Sequence, residues 1–410
     1  MSKSKSIKVC FFSKYPPIEG GISSRTYWLS RALGKRGMEI HIITNALEVE
    51  EEYRETFDFE KPENKKEYQP KNVFVHSLKG CKFKYIPFSL AYHERLINLG
   101  METIKEHGCD LIDSYYIQPY GVAAAFTKLL TSKPCILRHA ASDIVRLLPN
   151  EDFRTLHEIV FQIADVIITT GRENDIFEAH GVPKEKLCVN PFSSVDPEYF
   201  NPKVKPANLA NFGIPPKLLK KPILTYIGKY NSHKSLPDIV KAASRIKEDF
   251  LLLFITGGEE LEEFKKYVRR FPSLKNKHYF LRFLPPWRIP SVLRASTCLF
   301  HLESGFPFKN IMHTPTPPVE AFAVATPVLM SYEVSQAYKK SCPDMEKDRN
   351  ILVTNPQNHL QLKEALLGII KNPRKMKEIG RLGHQELFDK GQFEKGVENQ
   401  ILLYRKILKS

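Results

Sequence analysis

Short apolar, β-rich runs alternate with longer amphipathic stretches through most of the chain. The runs predict strands over residues 9–12, 39–44, 73–76, 111–114, 135–138, 166–169 and 187–190 in the first half. In the second half they predict strands over 223–227, 251–256, 279–283, 298–302, 328–330 and 351–353. The stretches between carry apolar residues at three- and four-residue spacing, as at Leu236, Ile239, Val240 and Ala243, the mark of a helix laid on a sheet. Strand and helix in alternation give a parallel sheet covered on both faces. A stretch from 197 to 222, with Pro202, Pro206, Pro215, Pro216 and Pro222, separates the two series and reads as a linker or hinge. The last segment, 393–410, reads as one helix with Val397, Ile401, Leu402, Tyr404 and Ile407 available for packing. The fold class is therefore α/β, with two doubly wound domains facing a central cleft.

The 410 residues suffice for more than one core, and 42% hydrophobic with 26% charged residues marks a globular chain. No apolar run has the length of a membrane span, and Met1-Ser2-Lys3-Ser4-Lys5 leads into a strand without an apolar leader, so a cytoplasmic protein is expected. Seven scattered cysteines with no CxxC pair read as free, mostly buried thiols. The net charge of +15 favours an anionic partner. No zinc-finger spacing, RNP-type aromatic strand or arginine-rich arm accompanies it, so a nucleic acid is not expected.

Ligands of doubly wound sheets bind beyond the carboxyl ends of the strands. The first strand runs into Ser13-Lys14-Tyr15-Pro16-Pro17-Ile18-Glu19-Gly20-Gly21 and then a helix, where paired glycines allow close approach and the helix offers its positive end. A dinucleotide fingerprint would need GxGxxG here, and an acid after the second strand. The chain has Gly20-Gly21-Ile22-Ser23-Ser24-Arg25 and Thr44-Asn45, which argues against NAD. In the second half, Lys229 and Lys234 lie just past a strand end, where two cations suit an anionic ligand. Glu303 ends a later strand, and Thr316 stands as a helix cap before Pro317, with Glu320 in the first turns.

The segment Tyr15-Pro16-Pro17-Ile18-Glu19-Gly20-Gly21-Ile22 resembles the opening of family 4 glycosyltransferases, nucleotide-sugar enzymes of the GT-B fold. The likeness continues at Arg138-His139-Ala140-Ala141-Ser142-Asp143 and at Val195-Asp196-Pro197-Glu198-Tyr199-Phe200. It also covers Gly228-Lys229 with Lys234, and Glu320-Ala321-Phe322-Ala323-Val324-Ala325-Thr326-Pro327-Val328. The resemblance implies an acceptor-side domain over 1–200, a nucleotide-sugar-binding domain over 201–390, and a C-terminal helix over 391–410 that packs back toward the first domain.

The same resemblance implies sugar transfer from a nucleotide-sugar to an acceptor hydroxyl, glycan or lipid-linked, with retention of configuration. No further cofactor and no metal are expected. Lys234, Glu303 and His139 take the catalytic roles. Gly20, Gly21, Lys229, Lys234, Gly257, Thr316 and Glu320 take the donor-binding roles. Two departures stand out: Lys229 replaces the usual arginine, and the Glu303–Glu320 interval is long, so a noncatalytic relative of the same fold remains the alternative. His139 can also be a packed loop histidine, and Gly257 with Gly258 a structural turn. Lys79, Lys82, Lys84 and Arg95 interleave with Phe83, Tyr85, Ile86, Phe88 and Leu90; this suits peripheral contact with an anionic membrane, or a basic loop leading into a helix.

Overall fold

The structure, a computed structural model, describes residues 6–80, 91–305, 315–339 and 342–409. The basic–aromatic stretch at 81–90 and most of the loop that follows Glu303 lie outside the described residues.

The chain forms two compact units: Met1–Glu50, Phe57–Ser194 and Gly391–Ser410 make the first, and Glu51–Thr56 with Val195–Lys390 the second. In the first unit the strands are β1 (Lys8–Phe12), β2 (Glu39–Thr44), β3 (Val73–Ser77), β4 (Leu111–Tyr115), β5 (Cys135–Arg138), β6 (Val166–Thr169) and β7 (Leu187–Val189). They form one parallel sheet in the order β3-β2-β1-β4-β5-β6-β7. The second unit holds β8 (Ile223–Ile227), β9 (Leu251–Ile255), β10 (His278–Leu281), β11 (Cys298–His301), β12 (Val328–Ser331) and β13 (Leu352–Thr354). Their order is β10-β9-β8-β11-β12-β13, again parallel. Both sheets reverse direction of winding at one place, between β1 and β4 and between β8 and β11, which is where such folds take their ligands.

The central strands are buried on both faces, which is why they read as unbroken apolar runs. Leu251, Leu252, Leu253, Phe254 and Ile255 of β9 are all inaccessible. Around them Tyr226, Ile239, Val240, Phe264, Phe300 and Leu366 form the second core. In the first unit Phe11, Phe12, Trp28, Leu33, Ile42, Ile136 and Phe161 do the same. Strand β10 begins and ends earlier than its pattern predicts. Phe283 is drawn instead toward the short segment at 51–56, where its carbonyl accepts the Thr56 N–H at 2.7 Å.

The proline-rich stretch is not a free linker. Phe200, Leu209, Ile214 and Leu218 are buried, the Ala207 N–H donates to the Ser291 carbonyl, and the Tyr279 hydroxyl donates to the Gly213 carbonyl. Its apolar residues recur often enough to seat it on the second unit, which the proline count obscured.

The helix Gly391–Ile407 packs on the first unit through Phe393, Val397, Gln400, Tyr404 and Ile407, while Leu402 stays exposed. Its anchor is a buried ionic cluster. Arg138 of β5 donates from Nε and Nη2 to both carboxylate oxygens of Asp113 on β4, at 2.9 and 2.7 Å, and the Tyr404 hydroxyl donates to the same carboxylate at 2.6 Å. Asp113 and Arg138 are 0% and 4% exposed. The six described cysteines are free thiols. No helix among the described residues is long and apolar enough to cross a membrane.

Candidate functional site

In the second unit Lys229, Lys234 and Glu303 stand beyond the carboxyl ends of β8 and β11, on the two sides of the switch point. Strand β8 leads into Gly228 and Lys229, then a short turn Ser232–Lys234 and the helix Leu236–Ala243, with Ser235 in the left-handed region between turn and helix. Strand β11 leads into Leu302-Glu303-Ser304. The two loops are tied in three ways: Lys234 pairs with Glu303, the Ser304 N–H donates to the His233 carbonyl at 3.0 Å, and the Ser235 and Ser304 hydroxyls share a 2.7 Å hydrogen bond. From β12, the Ser331 hydroxyl donates to the Glu303 carbonyl. A cation and a carboxylate are thus held together by backbone and side chains where a nucleotide's phosphates meet such sheets.

Beneath this pair lies His301, which the sequence did not single out. Its ring is buried, and neither nitrogen has a hydrogen-bond partner among the described residues. Nε2 is 3.2 Å from Glu303 Oε1 but is not aligned for a hydrogen bond. Burial and the Lys234 charge hold its pKa well below the usual histidine range, so the ring is neutral.

Lys229 is exposed, and its ammonium sits over the Tyr53 ring at 4.2 Å from the centroid. Tyr53 in turn donates to Glu259 at 2.6 Å. Gly257 has a packing reason to be glycine. A Cβ there would meet the Phe283 ring at 2.4 Å and the Glu52 carbonyl at 2.7 Å, and the Gly258 N–H donates to that same carbonyl. Gly257→Ala is expected to destabilise the second unit by about 1–3 kcal/mol through overpacking; a urea denaturation midpoint equal to the wild type's would refute this.

The helix Thr316–Ala323 begins one residue earlier than the cap reading requires. Pro315 holds the cap position and Thr316 is the first helical residue, with no side-chain capping bond. The extended conformation of Pro315 starts the helix, so the threonine hydroxyl is not needed for it. Glu320 follows, 6% exposed, and burial alone pushes its pKa up to about 7. A raised carboxyl pKa costs stability as pH climbs from the unfolded value, about 4.3, to the folded one, because the unfolded chain ionises first. The penalty grows to about 4 kcal/mol above pH 7. Glu320→Gln is therefore expected to flatten the fall in stability between about pH 4.5 and 7, as read from melting curves at stepped pH.

In the first unit, Gly20 precedes the helix Gly21–Lys35 with φ of +114°, a conformation that glycine adopts without strain; the space beside both glycines is open. His139 follows β5. Its Nε2 is 3.8 Å from Glu173, its ring packs on Phe177, and burial lowers its pKa against the pull of Glu173. Asp143 fixes this loop by accepting the N–H groups of Ala140 (2.7 Å) and Ile117 (3.1 Å), which joins the loops after β4 and β5. Burial pushes its pKa up to about 7. Asp143 ends the 138–143 motif that carries the resemblance, whereas Glu173 has no spacing signal and only the fold brings it to His139.

Residues 210–385 match the family model for group 1 glycosyl transferases. Among curated proteins, the α-maltose-1-phosphate synthase of Mycolicibacterium smegmatis is 25% identical over 211 residues. That match spans 48% of this chain and about half, 51%, of the relative. Among solved structures, sucrose-phosphate synthase from Thermosynechococcus elongatus superposes with a TM-score of 0.63 at 16% identity, covering 98% of this chain and 99% of that one. Anabaena HepE in complex with UDP-glucose gives 0.64 at 14%, covering 96% and 99%. At these identities the structural likeness establishes the fold: two Rossmann-like α/β units of the GT-B type.

Proposed function

We propose that the protein transfers a hexose from a nucleotide-sugar to an acceptor hydroxyl, on a glycan or a lipid-linked acceptor, with retention of anomeric configuration. The observation that carries this reading is the Lys234–Glu303 pair at the β8/β11 switch point, inside the stretch that matches the glycosyltransferase model. Lys234 meets the donor's diphosphate in exchange for Glu303 and takes up the charge that develops as the glycosidic bond to phosphate breaks. The positive ends of the helices Leu236–Ala243 and Thr316–Ala323 add to that field, and Lys229 supplies a second cation. Released from Lys234, Glu303 stabilises the oxocarbenium-like sugar. Glu320 accepts the ribose hydroxyls, more strongly in its ionised form, so donor affinity rises as pH passes 7. His139, neutral, donates to the sugar or the acceptor, and the Gly20-Gly21 turn leaves room for the diphosphate.

A thermal-shift titration with UDP-, GDP- and ADP-sugars, with NAD as control, tests the donor class. One nucleotide-sugar should stabilise the protein by about 2.7 kcal/mol at a hundredfold excess over Kd. Stabilisation by NAD alone would overturn the reading. No shift with any compound would favour a noncatalytic partner of the same fold.

A further inference from the structure

We propose that His41, His76 and His107 bind a divalent transition-metal ion of the zinc class on the β2–β3 side of the first sheet. The three residues come from separate elements: His41 from β2, His76 from the edge strand β3, and His107 from the last turn of the helix Tyr92–His107. The register pairs His76 with Ile43, so His41 and His76 project from the same face as diagonal neighbours. His107 stacks on His41 with ring centroids 4.3 Å apart. One ligand nitrogen from each residue lies within 4.8 Å of the other two. It is the only such group of three among the described residues.

The hydrogen bonds already have the form of a metal site with its supporting shell. His41 Nε2 is 2.8 Å from Glu39 Oε1, so its N–H donates to the carboxylate and its Nδ1 keeps a lone pair. That Nδ1 is 2.9 Å from His76 Nε2, with one proton shared between two imidazoles. A metal ion takes the place of that proton and releases it. The nitrogens of a tetrahedral ion bound at ~2.1 Å stand ~3.4 Å apart, so the His41–His76 contact opens by a few tenths of an ångström while the His107 ring turns out of its stack on His41 to aim a nitrogen at the ion. Glu39 is held in its place by Lys8, whose Nζ is 3.0 Å from Oε1 and also donates to the His107 carbonyl. His41 is buried, whereas His76 and His107 are partly exposed, which leaves an entry path from solvent. Three imidazoles and no thiolate suit zinc, cobalt, nickel or copper, and not calcium or magnesium. Bound there, the ion clamps the edge strand to its neighbour and to the covering helix.

The test is independent of sugar transfer. Full-length protein, first stripped with chelator, is titrated with Co2+ and followed by visible absorption and equilibrium dialysis, then challenged with Zn2+. The expected result is one equivalent per chain with the intense absorption of a tetrahedral cobalt site, displaced by zinc, and a metal-dependent rise in Tm. His76→Gln and His107→Gln should each weaken binding at least a hundredfold, and Glu39→Gln by 10- to 100-fold. Substoichiometric uptake by the wild type would overturn the proposal, as would uptake unchanged in both histidine variants.

Discussion

Lys234→Ala is expected to lower turnover by about 10²–10³, the usual loss when one preorganised group facing developing charge is removed. The reasoning starts from its placement. The side chain stands immediately before the left-handed Ser235 and the helix Leu236–Ala243, and it is already held by a carboxylate on the opposite loop. Once the donor's diphosphate has replaced Glu303 as its partner, the ammonium faces the developing charge before the bond breaks and needs no reorganisation at that step. Because the charge it meets grows toward the transition state, kcat should fall much more than KM rises. Lys234→Arg keeps the charge but not the compact head, and should recover part of the rate. Single-turnover kinetics with the donor found by titration would decide. A variant with near wild-type kcat would remove Lys234 from the mechanism and leave the ion pair as a structural tie between loops.

The second large effect concerns stability. Asp113→Ala should destabilise the first unit by about 3–5 kcal/mol, the cost of leaving a buried charge without its partner. Arg138 would lose both hydrogen bonds in a site closed to water, and the Tyr404 hydroxyl would lose its acceptor. Tyr404→Phe, which removes one donor and leaves the bidentate pair, should cost only about 1.5–3 kcal/mol. The ordering of the two variants is the discriminating result. If Tyr404→Phe proved as damaging as Asp113→Ala, the helix docking and not the ion pair would carry the stability. Limited proteolysis of the C-terminal helix beside chemical denaturation would separate the two.

The strands were legible because parallel strands buried on both faces must be apolar throughout, and β2, β5, β6 and β8 fall at the predicted residues. Lys229, Lys234 and Glu303 were legible as residues past strand ends, and Glu320 as one in the first turns of a helix. What sequence could not show was pairing at a distance. Asp113 and Tyr404 meet across 291 positions, and nothing periodic links Glu173 to His139. His301 looked like one more residue of an apolar strand, since burial leaves no trace in the pattern when the ring has no partner. The three histidines of the first sheet stand 35 and 31 residues apart and share no motif spacing. Thr316 misled for a local reason: with prolines on both sides of it, the chain enters the helix by proline geometry and not by a hydroxyl cap.

The segment Glu51–Thr56 has a consequence for how the chain is made. It leaves the ribosome with the first unit but seats against Gly258, Phe283 and Arg282, which are synthesised on the order of 200 residues later. At 5–20 residues per second that is a wait of about 10–40 s. During that time Tyr53 and the Glu52 carbonyl have no surface to meet. A fragment that begins at Val195 never receives them, so the second unit cannot be excised as one continuous piece of chain. Supplied in trans, a short peptide spanning this segment would be the missing staple.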